Sequence, residues 1–205
     1  MLSKPENYDA VEVQEFDFEP LELGGHKCVI VKTEEYTSET SGKTSLKISV
    51  DTTKFDKQPN YYQKIYDNNK LSEAKWPTGA VKYISLGSDE NCVKMLKGFI
   101  TAVENSNMNY KYDWNKDVKQ LEGKMVGGIF GLEEYENTEG KVKNATKLRN
   151  FRSIDKVNEA KIPKVKLLDN TYVDYDDYDG PEEKNQLDSP FDSTISVVSD
   201  DQLPF

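Results

Sequence analysis

Leu121-Glu122-Gly123-Lys124-Met125-Val126-Gly127-Gly128-Ile129-Phe130-Gly131-Leu132-Glu133-Glu134-Tyr135 is the stretch on which the fold turns. Its apolar residues read as a strand, punctuated by glycine at 123, 127, 128 and 131. Glycine inside a strand marks a bulge or a tight bend at a barrel corner. A phosphate loop would need a Lys-Ser or Lys-Thr pair after the glycines, and a dinucleotide turn would need a helix opening there. Neither follows, so barrel geometry is the better account. Asn137 and Gly140 then supply a hairpin loop, and Val142 to Ile154 returns as a partner strand.

Upstream, Cys28-Val29-Ile30-Val31 is an apolar run suited to a strand buried on both faces, followed by a polar turn from Ser38 to Gly42. Leu46, Ile48 and Val50 alternate with Lys47, Ser49 and Asp51, which predicts one buried and one wet face. A third strand is expected near Tyr62 to Tyr66, and Val81 to Leu86 fits a short added strand. Ser88 offers an N-cap, Asp89 and Glu90 complement the helix dipole, and Cys92, Met95, Leu96, Phe99 and Val103 recur at helical spacing. The order is strand, strand, strand, helix, strand, strand. A mainly β protein with a single α-helix between strands 3 and 4 has the element order of an OB-fold, the five-stranded Greek-key barrel whose exposed face binds oligonucleotides.

The chain has 37 acidic and 27 basic residues, a formal net charge of -10. From Asp169 to Phe205 eleven acidic residues stand against Lys184 alone, whereas residues 1 to 168 balance at 26 against 26. The expected organisation is one folded domain over 1–168 and a disordered acidic tail over 169–205. The body's neutrality hides an asymmetry. Its first 25 residues carry seven acidic side chains and only Lys4, while residues 141 to 168 hold nine Lys or Arg against Asp155 and Glu159. No apolar run approaches the roughly 20 residues that span a bilayer, and Met1 to Tyr8 lacks the basic and apolar regions of a signal peptide. A cytoplasmic protein without a membrane partner is expected. Cys28 and Cys92 lie within apolar patterns and read as buried free thiols, not as a disulfide or a zinc site.

Catalysis finds little support. His26, the single histidine, has no nucleophile that the sequence pairs with it, and neither cysteine stands in a catalytic context. Neither an enzyme activity nor a cofactor is expected. Asp174, Asp176, Asp177 and Asp179 alternate with Tyr172, Tyr175 and Tyr178, but without the glycine placement and terminal Glu of a calcium loop they read as linker, not as a metal site.

Single-stranded nucleic acid suits the residues better, because rings stack on bases while lysines neutralise phosphates. The expected stacking rings are Phe55, Tyr61, Tyr62 and Phe151, and the expected phosphate contacts are Lys43, Lys54, Lys64, Lys147, Arg149 and Arg152. The spacing of Lys147, Arg149 and Phe151 places them on one face of a strand, with Leu148 turned inward. Core filling by the rings and a solvated basic strand are the competing readings.

The C-terminal Asp200-Asp201-Gln202-Leu203-Pro204-Phe205 resembles the acidic tip of bacterial single-stranded DNA-binding proteins, in which aspartates precede an apolar residue, Pro and a terminal Phe. Over roughly residues 20 to 168 the body is similar to phage-encoded single-stranded DNA-binding proteins of Gram-positive hosts. That likeness rests on Leu121 to Lys124, Val126 to Gly131, Glu133-Glu134-Tyr135 and the run from Phe99 to Asn107. Gln202 departs from the tip pattern, where another acid is common. The resemblance implies a protein that coats single-stranded DNA without strong sequence specificity during phage DNA replication, recombination and repair, in the host cytoplasm. It also implies that Phe205 inserts its ring into an apolar pocket on a phage or host replication or recombination protein, with Asp200, Asp201, Leu203 and Pro204 completing the tip. The alternative is a DNA-mimicking interaction protein that occupies a host nuclease or repair factor. Monomer and dimer both remain open.

Overall fold

The computed structural model describes residues 19–69 and 74–180. The tip at 200–205, and the tail beyond 180, lie outside the described residues. Two long antiparallel pairs form the centre. β1 (Gly24–Thr37) pairs with β2 (Thr44–Thr52), and β4 (Met125–Glu136) pairs with β5 (Val142–Arg152). β3 (Val81–Ser85) flanks β2, while β1 lies along the first half of β4. The path β3-β2-β1-β4 thus continues to β5 on the far edge of β4, and the short β6 (Val165–Lys166) and β7 (Tyr172–Val173) extend the sheet beyond β1's end. One residue pair, Glu133 with Lys166, is parallel, so the seven-stranded sheet is mixed. β3 and β5 touch without backbone pairing among the described residues, and the sheet is open.

The glycines of β4 have a packing reason. A Cβ on Gly127 would fall 2.8 Å from Val157 Cβ, and one on Gly128 would fall 2.8 Å from Cys28 Sγ and 3.0 Å from the Phe130 ring. The missing side chains let the 153–160 segment close over one face of β4 and let the Cys28, Phe130 and Leu148 side chains pack against the other.

β1 alternates instead of being buried on both faces: His26, Cys28 and Ile30 point into the core, Val29 is half-buried and Val31 is exposed. A register shift between Ile30 and Lys32 makes Val31 the extra residue of a bulge and brings Thr33 inward. In β2 the inner face is as expected. Its outer face is drier than the alternation predicts, since Ser49 and Asp51 are buried beside the half-exposed Lys47.

The expected third strand near Tyr62 is instead helix α1 (Tyr61–Asn68). Its N-cap residue Asn60 sits in the left-handed region (φ 52°) and gives no side-chain cap. The end of β2 supplies the acceptors instead, Thr52 Oγ1 to the Tyr61 amide at 2.9 Å and Asp51 Oδ1 to the Tyr62 amide at 2.8 Å. Tertiary acceptors thus satisfy the orphan donors of the first turn and override the strand preference of tyrosine. β3 takes the third place along the chain.

Helix α2 (Glu90–Ser106) is capped by Asp89, one residue later than Ser88, with its carboxylate accepting from the Asn91 and Cys92 amides at 3.1 and 3.0 Å. Phe99, Ile100, Ala102 and Val103 bury its C-terminal half, but Val93 and Met95 in its first half are exposed. Cys28 is a buried thiol as expected; Cys92 is only half-buried, and both are free.

The ordered body also passes the expected boundary at 168. Beyond β7, the Tyr178 hydroxyl donates to Glu134 Oε1 (2.7 Å) beside Asn144 Oδ1 (2.8 Å), and Lys164 pairs with Asp174 at 3.0 Å. Residues 169–180, read from composition as disordered linker, are anchored to β4 and β5 by the Tyr178 contacts and to Lys164, just before β6, by Asp174.

Candidate nucleic-acid interface

The outward face of β1, β2 and β3 carries a cluster that composition did not single out. Register sets Lys47 opposite Glu34 on one side and Tyr83 on the other, with Tyr36 one step along β1. The Tyr36 and Tyr83 rings meet edge to face at 5.7 Å, and Lys47 Nζ lies 5.8 and 5.9 Å from their centroids. Burial disfavours the charge on Lys47, but the carboxylate of Glu34 at 3.1 Å and the Tyr83 hydroxyl outweigh it and hold the ammonium's pKa above the ordinary lysine value. The result is two half-buried rings bracketing a permanent cation. The cluster is set by the register between strands, which no residue spacing within one strand reveals.

A second ring-and-cation pair stands on the loop between β2 and α1. Phe55 is 68 % exposed, with Lys54 Nζ 5.0 Å from its ring centroid. The loop is pinned beneath the ring by Asp56, which accepts from the Lys27 amide (2.7 Å) and the Gln58 amide (3.0 Å) and meets His26 Nδ1 at 2.8 Å. Burial opposes the Asp56 carboxylate, yet these partners prevail and hold its pKa below the usual aspartate value. His26 is wholly buried, bonded also to the Glu22 carbonyl and edge-on to Phe130, so its chemistry is spent on structure. Lys57 pairs with Glu22.

Three expected stacking residues are corrected to core. Tyr61 and Tyr62 are 9 % and 3 % exposed. The Tyr61 hydroxyl accepts from the Leu21 amide, and Tyr62 stacks on Phe130 at 5.9 Å. Phe151 is 8 % exposed and packs on Phe99 with centroids 4.7 Å apart. The single face expected for Lys147, Arg149 and Phe151 fails because of a bulge: Ile129 pairs with Asn150 and Phe130 with Leu148, leaving Arg149 as the extra residue. Leu148 and Phe151 therefore both point inward.

Of the expected phosphate contacts, Lys43, Lys54, Lys64 and Arg152 are exposed. Lys43 and Lys54 flank opposite ends of β2, roughly 30 Å apart by strand length, so they do not form one contact. Arg149 is mostly covered, pairing with Glu133 at 3.2 Å and lying 5.6 Å from the Tyr172 ring. Lys147 donates to Thr78 Oγ1 at 3.3 Å.

Among the described residues no group of three or more His, Cys, Asp or Glu is placed to hold a metal ion, and no helix is long and apolar enough to cross a membrane. A comparison with known protein families and with curated proteins returned no match.

Proposed function

We propose that the chain is a single-stranded DNA-binding protein that coats the strand without strong sequence specificity during phage DNA replication, recombination and repair. In this reading the path β3-β2-β1-β4-β5, with α2 between β3 and β4, is an OB-type barrel whose last seam is sealed by side chains. The observation that carries the reading is the Tyr36–Lys47–Tyr83 cluster on the outer sheet face, with the Phe55–Lys54 pair beyond the Thr52 end of β2 as a separate ring-and-cation position. Ring faces beside fixed cations suit any base and any phosphate, which is the chemistry of binding without sequence readout. The acidic tip Asp200 to Phe205 serves a second task in this reading, capture of replication or recombination proteins through the Phe205 ring and the terminal carboxylate.

The test is competition at low salt, with labelled oligo-dT displaced by unlabelled oligo-dT, mixed-sequence single strand or duplex. Displacement by both single strands at similar concentrations, with duplex much weaker, supports the reading. Failure of oligo-dT to bind at all overturns it and favours the DNA-mimicking interaction protein.

A further inference from the structure

Where β3 meets β5, four cations gather around one carboxylate. Glu133 Oε2 takes Arg149 at 3.2 Å and Oε1 takes Lys166 at 2.8 Å, which occupies both oxygens. Lys147 and Lys82 remain. Lys147 Nζ reaches only the neutral Thr78 hydroxyl, and among the described residues neither lysine makes an ion pair. Both are largely removed from solvent, and burial lowers the pKa of each, with Arg149 and Lys166 repelling Lys82 further and Lys166 repelling Lys147. Among the described residues Glu133 is the one acidic group that acts on either. A covered group of four positive charges and one negative is destabilising by itself, because desolvated charge needs a counter-charge.

We propose that Lys82, Lys147, Arg149 and Lys166 form a phosphate-binding subsite at the β3–β5 seam that seats one phosphodiester of the bound strand. The proposal rests on the single-strand reading above and adds residues to it, since neither Lys82 nor Lys166 belongs to the exposed basic positions. A phosphate here supplies the missing negative charge and links the two strands that lack backbone pairing. The exposed Tyr172 ring, beside Arg149, flanks the seat.

The experiment compares wild type with Lys82→Met and Lys147→Met, each of which removes the charge but keeps an apolar stem, and with Lys94→Gln on the exposed face of α2 as control. Two quantities are read: the slope of log affinity for oligo-dT against log salt, and the rise in Tm on exchanging chloride for inorganic phosphate at matched ionic strength. The expected result is that each seam variant lowers the slope by about one, keeps or raises Tm in chloride, and loses most of the phosphate-specific rise, while Lys94→Gln matches wild type. If wild type binds oligo-dT and the seam variants keep its slope, the subsite is overturned and the single-strand reading stands. If wild type fails to bind oligo-dT, the single-strand reading falls. In that case a phosphate rise abolished by both seam variants upholds the anion site alone, and an equal rise in all proteins overturns it as well.

Discussion

Phe55 and Tyr62 show how the same chemical type serves opposite ends seven residues apart. Phe55 is 68 % exposed and touches Lys54; Tyr62 is 3 % exposed and stacks on Phe130. Phe55→Ala is expected to change stability by less than about 0.5 kcal/mol and to weaken oligo-dT binding by about 1–3 kcal/mol. Tyr62→Ala is expected to destabilise by about 3–5 kcal/mol. Urea unfolding and an oligo-dT titration on both variants check the pair, and equal stability losses would contradict the assignment. Asp56 gives a pH prediction. Its folded pKa lies below the unfolded value of about 3.9, so its contribution is complete above about pH 5 and is lost as pH falls through the folded pKa. Asp56→Asn should therefore flatten the fall in stability below pH 5, measured by urea midpoints from pH 7 to 3; an unchanged acid limb would contradict this. Composition indicated rings among lysines but not which rings face water, because burial depends on partners such as Phe130 and Phe99 that are distant in sequence.

At the scale of elements, the inward-facing pattern of β2, the hairpin from β4 to β5 and the body of α2 were legible, since each follows from a local period or turn residue. The failures have local causes. α1 replaced a strand because Asp51 and Thr52 of another element cap it, and the face of β5 was misassigned because a bulge at Arg149 shifts alternation by one. A bulge leaves no mark on residue spacing. The glycines of β4 were read as barrel-corner residues, and the contacts give them a sharper role. Gly128→Ala is expected to lower stability by about 1–3 kcal/mol, since its Cβ would meet Cys28 Sγ at 2.8 Å. Gly98→Ala, on α2 with nothing within 4 Å of the added carbon, should instead stabilise by up to about 1 kcal/mol. Differential scanning calorimetry on the two variants checks the contrast, and shifts of the same sign would contradict it.

For the molecule as a whole, the charge division read from the sequence puts the acidic excess after residue 168, while the structure carries the folded body on to residue 180. Removing residues 181–205, which hold six acidic side chains against Lys184, should tighten oligo-dT binding at low salt. Removing residues 169–205 also strips β7 and the Tyr178 anchor, and should lower Tm by about 5 °C. Equal Tm values for the two truncations would contradict the extended boundary. The central claim, that the outer face of β1–β3 binds single strands, is tested most directly by titrating oligo-dT across a salt series with wild type and with the double variant Tyr36→Leu, Tyr83→Leu. Wild-type log affinity is expected to fall linearly with log salt, and the double variant to bind at least about tenfold more weakly with the same slope. Wild-type binding that ignores salt, or a double variant as tight as wild type, would contradict it.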